Sequence, residues 1–172
     1  MGARTCSATT RASETPRASG MSPALTRAAL LAFLRSHRYA VQSSAHPTGA
    51  PQSAVVGIAV SDNFEIVFDT LATSRKAQNL RHHKPIAFVI GGLVPNDERT
   101  VQYEGIADEP SGSDRTRLTD LYYTVFPDGQ ERLKWFGLIY IRAAPTWLRY
   151  SNYNQDPPEI HEFDAAALQA LK

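Results

Sequence analysis

Ser74, Arg75 and Lys76 are the residues of this chain best suited to chemistry, because a hydroxyl and two cations follow one another where a helix begins. The run Ile66–Phe68 is compact and apolar and reads as a strand, and Thr70 to Thr73 interrupt it with small and hydroxyl-bearing residues. Ser74 stands at the N-cap position of the helix that follows, with Ala77 and Leu80 as its apolar i, i+3 face. Pro85 stops that helix, so the apolar run Ile86–Ile90 opens a new strand. A strand leading straight into a helix start brings free backbone N–H groups, the positive end of the helix dipole, a hydroxyl and two cations to one point. Such a point suits a phosphate monoester. The competing reading is an ordinary solvated helix start, since cations at a helix N-terminus are mildly unfavourable without an anion to compensate them.

The remaining reactive residue types form no comparable group. His82 and His83 fall late in the same helix, and His37 closes an earlier one, where a cation favours the dipole and a metal site is not required. Asp114, Asp120 and Glu131 have no spacing that marks an acid–base pair, and no Ser/His/Asp triad can be assembled. Trp135 and Phe136 are expected in the core, whereas the indole of Trp147 suits either core packing or contact with a ligand.

With 172 residues, 42% of them hydrophobic and 20% charged, the chain is sized for one soluble domain with a real core. Eighteen basic side chains against seventeen acidic ones leave a net charge of +1, which argues against a nucleic-acid binder. The lone Cys6 excludes an internal disulfide and any cysteine pair for a metal, and no apolar run has the length of a transmembrane helix, so the expected location is the cytosol. Residues 1–20 carry no bulky aliphatic side chain and read as a disordered tail ahead of a domain over 21–172. Their Arg and Ser content also fits an organelle transit peptide, and Met21 fits a natural start preceded by an upstream extension.

The elements that must position the Ser74 corner follow from periodicity and turn chemistry. Ser22 and Pro23 open a helix running to about Ser36. Tyr39–Ser44 and Gln52–Val60 read as a hairpin around His46–Pro51, and Phe64–Phe68 continues it as an antiparallel meander. Thr100–Ala107 alternates at period two, with Gly105 where a bulge or close backbone approach is expected. Ser111–Phe126 is a helix whose shared face holds Leu118, Leu121, Tyr122 and Val125. Trp135–Ile141 is a strand that Pro145 separates from Trp147–Tyr150, Asn152–Pro158 is a turn, and Asp164 caps a short helix reaching Leu171. Strands and helices do not alternate regularly, so a small, mainly antiparallel β-barrel with peripheral helices fits better than a Rossmann sheet.

Over about Ala24–Phe163 the chain resembles the pyridoxamine 5′-phosphate oxidase-like, FMN-binding split-barrel proteins. The resemblance rests on the N-terminal helix, the hairpin turn Gly49–Pro51, the strand end Phe68–Thr70, the segment Ser74–Leu80 (SRKAQNL), the strand after Pro85, Arg99–Ala107 and Pro145–Tyr150. It implies an α+β fold built on a six- to seven-stranded antiparallel split barrel, with FMN as cofactor. Thr70, Ser74, Arg75 and Lys76 would hold the FMN phosphate, and the strand Ala54, Val55, Val56 and Gly57 would give backbone hydrogen bonds along the isoalloxazine ring. Asp69 stands where the oxidases often carry tyrosine, and Thr100 matches a glutamine that approaches their flavin. The family's flavins lie at a homodimer interface, where Trp147 and Tyr150 would cover the ring from the partner chain.

The departures limit what transfers. An arginine begins and a lysine ends the flavin strand of authentic pyridoxamine-phosphate oxidases; Ala54 and Ala59 stand in those places here. Their substrate-binding C-terminal segment has no counterpart in Asn152–Lys172. Each lost charge-assisted bond removes roughly 1.5–3 kcal/mol of binding. The resemblance therefore implies an FMN-dependent oxidoreductase for an unidentified small organic substrate, and not one for vitamin B6. The alternative is a non-catalytic carrier or stress-linked sensor that binds flavin, deazaflavin F420 or haem.

Overall fold

The computed structural model describes residues 25–172, so the expectations for the tail and for Met21 lie outside it, whereas the helix expected from Ser22 begins only after Thr26, whose backbone is extended. The first described helix, α1 (Arg27–Ser36), is capped by Thr26, whose Oγ1 accepts from the Ala29 N–H at 3.2 Å. It ends at His37, and it buries Leu30, Leu31, Phe33 and Leu34.

Eight strands follow in one antiparallel sheet: β1 (Tyr39–Ala45), β2 (Pro51–Gly57), β3 (Ala59–Val60), β4 (Ile66–Leu71), β5 (Pro85–Gly91), β6 (Arg99–Asp108), β7 (Leu138–Asn152) and β8 (Glu159–Asp164). Helix α2 (Arg75–His82) lies between β4 and β5, α3 (Gly112–Val125) and a 3₁₀ segment (Pro127–Lys134) precede β7, and α4 (Ala165–Ala170) closes the chain. The Asp164 carboxylate caps α4 through the Ala167 N–H at 2.8 Å, as the sequence predicts.

The order of strands β2-β1-β5-β6-β7-β4-β3 shows why the sheet is a barrel. Its two outermost strands, β2 and β3, are neighbours in sequence with only Ile58 between them. A flat sheet cannot join its two edges through one residue, so this one curls until the edges meet. They meet at one end only. β3 pairs with Ile66 and Val67 of β4, and beyond that point β2 and the rest of β4 diverge, which is the split in the barrel. The expected mainly antiparallel split barrel is thus observed.

The expected single strand Gln52–Val60 is broken at Ile58: its first part pairs with β1 and its last two residues with β4. The expected meander is broken too, because β4 adds to β7, more than sixty residues later in sequence, and not to β2. Pro145 does not divide a strand. It sits inside β7, opposite Gly105 at a register shift in the β6–β7 ladder, where the bulge removes the demand for its missing N–H. A Cβ on Gly105 would lie 2.6 Å from the Ala144 carbonyl oxygen, the close approach that the glycine permits.

The main core fills the barrel with Ile66, Phe68, Ile86, Phe88, Ile90, Val101, Ile141 and Leu148, and α1 plugs one side. Tyr103 crosses it and donates its hydroxyl to the Ala143 carbonyl at 2.7 Å. A second cluster of Val67, Leu118, Tyr122, Phe126 and Tyr140 seats α3 on the other face of β4 and β7. Trp135 and Phe136 are not core residues: they are 56% and 101% exposed, on the turn that links the 3₁₀ segment to β7. No helix among the described residues is long and apolar enough to cross a membrane.

Candidate functional site

The split in the barrel is also where the hydroxyls and cations of the Ser74 corner gather. Thr70 is the last buried residue of β4, and its Oγ1 lies 3.0 Å from the Ser74 Oγ and 3.3 Å from the Lys76 Nζ. Ser74 is the N-cap of α2, as the sequence predicts; its Oγ accepts from the Ala77 N–H at 3.3 Å. That cap leaves the N–H groups of Arg75 and Lys76 without intrahelical acceptors at the positive end of the helix. No carboxylate in the first turn of α2, and no ion pair among the described residues, neutralises either cation.

Across the split, Arg75 and Lys76 face the open edge of β2 over a cleft of about 550 Å³, whose lining also includes Gln42, Ser44, Gln52 and Ala54. Arg75 is held by the Gln52 side chain: with its amide oxygen turned to the guanidinium, Gln52 accepts from the Arg75 Nε at 2.7 Å. Asn79, buried on α2, steadies the far side of the cleft, its side-chain amide bonded to the Ser44 Oγ at 3.2 Å and to the Gln52 amide. The lining therefore combines two unpaired cations, hydroxyls and side-chain amides with an edge strand that has no ladder partner on one side. That is a donor-rich cleft suited to an anion.

The other large cleft, about 470 Å³ between α1 and α3, differs in its electrostatics. Its cations are already matched, Arg35 by Asp62 at 2.6 Å and Arg117 by Glu65 at 2.9 Å. Burial pushes the Glu65 carboxyl up, but bonds from Arg117 and Ser61 and the nearby charges of Arg117 and Arg142 outweigh it and hold the group below its ordinary range.

The sequence-predicted residues divide into three sets. Ala54, Thr70, Ser74, Arg75 and Lys76 come together at the split, as just described. Val55, Thr100 and Trp147 lie on the outer face of the sheet, alternating with buried Val56, Val101 and Leu148. Thr100 is also remote from the corner along the strands. Ser43 is opposite Ala87, which is opposite Glu104, whereas Thr100 pairs with Gly91 at the other end of that ladder. Gly57, at the end of β2, lies under the Phe126 ring, where a Cβ would approach Cζ to 2.7 Å.

Two residues are placed against their expected roles. Strand alternation turns Asp69 away from Thr70, and its carboxylate accepts from the Tyr122 hydroxyl at 2.9 Å and the Arg132 Nε at 2.8 Å. Asp69 thus anchors α3 and the 3₁₀ segment to β4 and has no place in the cleft; burial and the adjoining carboxylate push the Tyr122 phenol up. Tyr150 is 6% exposed and packs edge-on to Phe33 with ring centroids 5.5 Å apart, so its ring belongs to the core and is not offered to a partner chain. Gln42 and Gln52 were missed by the sequence reading. Their only signal there was a polar residue at an inward-facing position of a strand.

A sequence model of the family described as pyridoxamine 5′-phosphate oxidase matches residues 26–144, more than half of the chain. The chain belongs to the pyridoxamine 5′-phosphate oxidase family. No sequence relative was found among curated proteins. Solved structures similar to this family member include a heme binding protein from Mycobacterium smegmatis, with TM-score 0.71 and 12% identity, covering 84% of this chain. This chain spans 60% of that protein's length. A pyridoxamine 5′-phosphate oxidase-related, FMN binding protein from Nostoc punctiforme has TM-score 0.62 and 16% identity, over 84% of this chain and 93% of that one. General Stress Protein 26 from Bacillus anthracis has TM-score 0.60 and 17% identity, over 80% and 98%. At these identities the likeness to solved structures shows the fold alone.

Proposed function

We propose that this member of the pyridoxamine 5′-phosphate oxidase family binds FMN in the split of its barrel and works as an FMN-dependent oxidoreductase on a small organic substrate. The observation that carries the reading is the pair of unneutralised cations, Arg75 and Lys76, converging with the Thr70 and Ser74 hydroxyls at the start of α2. The residues present fit the cofactor: the cationic corner accepts a phosphate, and the free edge of β2 from Ala54 to Gly57 runs away from it with unpaired backbone groups for a ring. Bound flavin supplies hydride or single-electron transfer. The chain's own part is to fix the phosphate with charge-assisted bonds, orient the ring along β2 and close its far end with Phe126.

A second copy is proposed to cover a ring held along β2. The outer face of β2, β5, β6 and β7 exposes Val55 at 68%, Val89 at 46% and Ile106 at 43%, with Trp147 half-buried beside them. Isologous pairing of that apolar face would bury it and form two equivalent sites. FMN bound between copies would then strengthen association by linkage.

A second reading is a non-catalytic binder of haem or deazaflavin, and the heme binding structural neighbour favours its haem form. None of the cleft residues Gln42, Ser44, Pro51, Gln52, Ser53, Ala54, Arg75 and Lys76 is a histidine, cysteine, methionine or tyrosine able to ligate haem iron, so FMN remains the better fit. The absorption spectrum of the purified protein with each cofactor decides the ligand, and reduction by NADH or NADPH followed by substrate-dependent reoxidation tests turnover. A protein that takes up haem or F420 and no FMN overturns the proposal. Sedimentation at falling concentration, with and without FMN, tests the shared site; a monomer holding stoichiometric FMN contradicts it.

A further inference from the structure

We infer that Gln42 is a ligand-binding residue that sets the cleft's preference for phosphorylated over unphosphorylated flavin. Gln42 lies on β1, and its side chain is 1% exposed in the wall of the cleft that Arg75 and Lys76 share. Its Nε2 has no hydrogen-bond partner among the described residues, and the other buried side-chain atom in that condition, the Arg149 Nε, does not line this cleft. A buried amide donor without an acceptor is costly, and native proteins rarely keep one without a use. A ligand atom in the cleft removes the cost.

The chemistry of that atom follows from the surroundings. Gln42 pairs directly with Ala54 across the β1–β2 ladder, so the small alanine leaves space above the amide. Gln52, two residues from Ala54 on β2, spends its oxygen on Arg75, and the Asn79 amide is taken up by Gln52 and Ser44. Gln42 is left as the wall's free neutral donor beside two cations, and an acceptor carrying negative charge is what satisfies all three. This inference rests on the FMN reading and deepens it: a phosphate oxygen of the cofactor takes the Nε2 hydrogen. Because a carboxamide orients to its partners, the bound anion also fixes which end of the amide faces the cleft.

The inference has a signature that a structural glutamine lacks, because stability and affinity move in opposite directions. Gln42→Leu keeps the volume and removes the unsatisfied group, so the cofactor-free protein is expected to melt about 2–4 °C higher. The same change is expected to weaken FMN binding roughly ten- to a hundredfold, the worth of a hydrogen bond to a charged group, while riboflavin affinity changes less than about threefold. Gln42→Glu, isosteric but negative, is expected to weaken FMN more than Gln42→Leu does and again to spare riboflavin. Titrating flavin fluorescence for the wild-type protein and both variants, with FMN and with riboflavin, measures all of this alongside the melting curves. Unchanged FMN affinity in folded Gln42→Leu and Gln42→Glu overturns the inference while leaving the FMN reading standing. Equal losses for FMN and riboflavin, with a lower melting point, identify Gln42 as structural and also overturn it. A wild-type protein that binds neither flavin overturns the inference together with the reading beneath it.

Discussion

Two groups of cations in this molecule use the same side chains for opposite purposes. Around Glu65, Arg117 donates to both carboxylate oxygens at 2.9 and 3.1 Å, and Arg142 reaches Asp108 at 2.6 Å and Asp114 at 3.0 Å. Every charge there has a fixed protein partner, and the network ties the residue before β4 to β6, β7 and the start of α3. At the split, Arg75 and Lys76 have hydroxyls and an amide as neighbours and, among the described residues, no carboxylate. The first group stabilises the fold, while the second carries charge that nothing in the fold neutralises among the described residues. Paired cations hold structure, and the proposed ligand site is where unpaired ones stand beside an orphaned donor.

That contrast yields effects of opposite sign. The largest is expected at Arg142→Ala, which strands Asp108, leaves Asp114 with Arg117 alone and weakens the hold on Glu65; urea denaturation should show a loss of about 2–4 kcal/mol. FMN affinity measured well below the melting point should not change. Asp69→Ala should cost about 2 kcal/mol, because Arg132 keeps only the exposed Asp128 as its ionic partner, and it too should spare the cofactor. An Asp69→Ala protein that folds normally yet loses FMN would return Asp69 to the site.

Acid sharpens the same comparison. The Glu65 carboxyl is held below its ordinary 4.5, so its contribution to stability is complete above that value and is lost as pH falls through the lowered folded value. Urea midpoints from pH 6 down to pH 3 should therefore fall below about pH 4.5, and Arg117→Ala should flatten the fall. The smallest effect is at the split. Lys76→Ala relieves an uncompensated cation in the first turn of α2, so the cofactor-free protein should gain up to about 0.5 kcal/mol. A clear loss of stability in that variant would place Lys76 with the structural cations.

The parts of this molecule that were legible in the sequence are those fixed by local chemistry. The Ser74 cap, the Asp164 cap and the Gly105 bulge each depend on a few adjacent residues whose types admit one good solution. Thr70, Ser74, Arg75 and Lys76 were legible for the same reason, since one strand end and one helix start deliver them all. Distant pairing was not. β4 finds β7 across the chain, and the choice between β2 and β7 as its neighbour leaves no trace in the periodicity of Ile66–Leu71. Pro145 reads as a strand breaker until its partner Gly105 is known to form the bulge that accommodates it. Trp135 and Phe136 show that apolar character does not guarantee burial: the glycine turn after them carries both rings outward before β7 begins. Asp69 and Tyr150 follow from alternation along β4 and β7 once the register is fixed, which one sequence does not supply.

The central claim is that the split holds a phosphate, and the phosphate itself is the probe. FMN and riboflavin differ only in that group, so their affinities for wild-type, Arg75→Ala and Lys76→Ala protein test the assignment directly. Each substitution should weaken FMN roughly ten- to a hundredfold, the loss of a hydrogen bond to a charged group, and riboflavin less than about threefold. Equal losses for the two flavins, or FMN bound as tightly by both variants as by the wild-type protein, would contradict it.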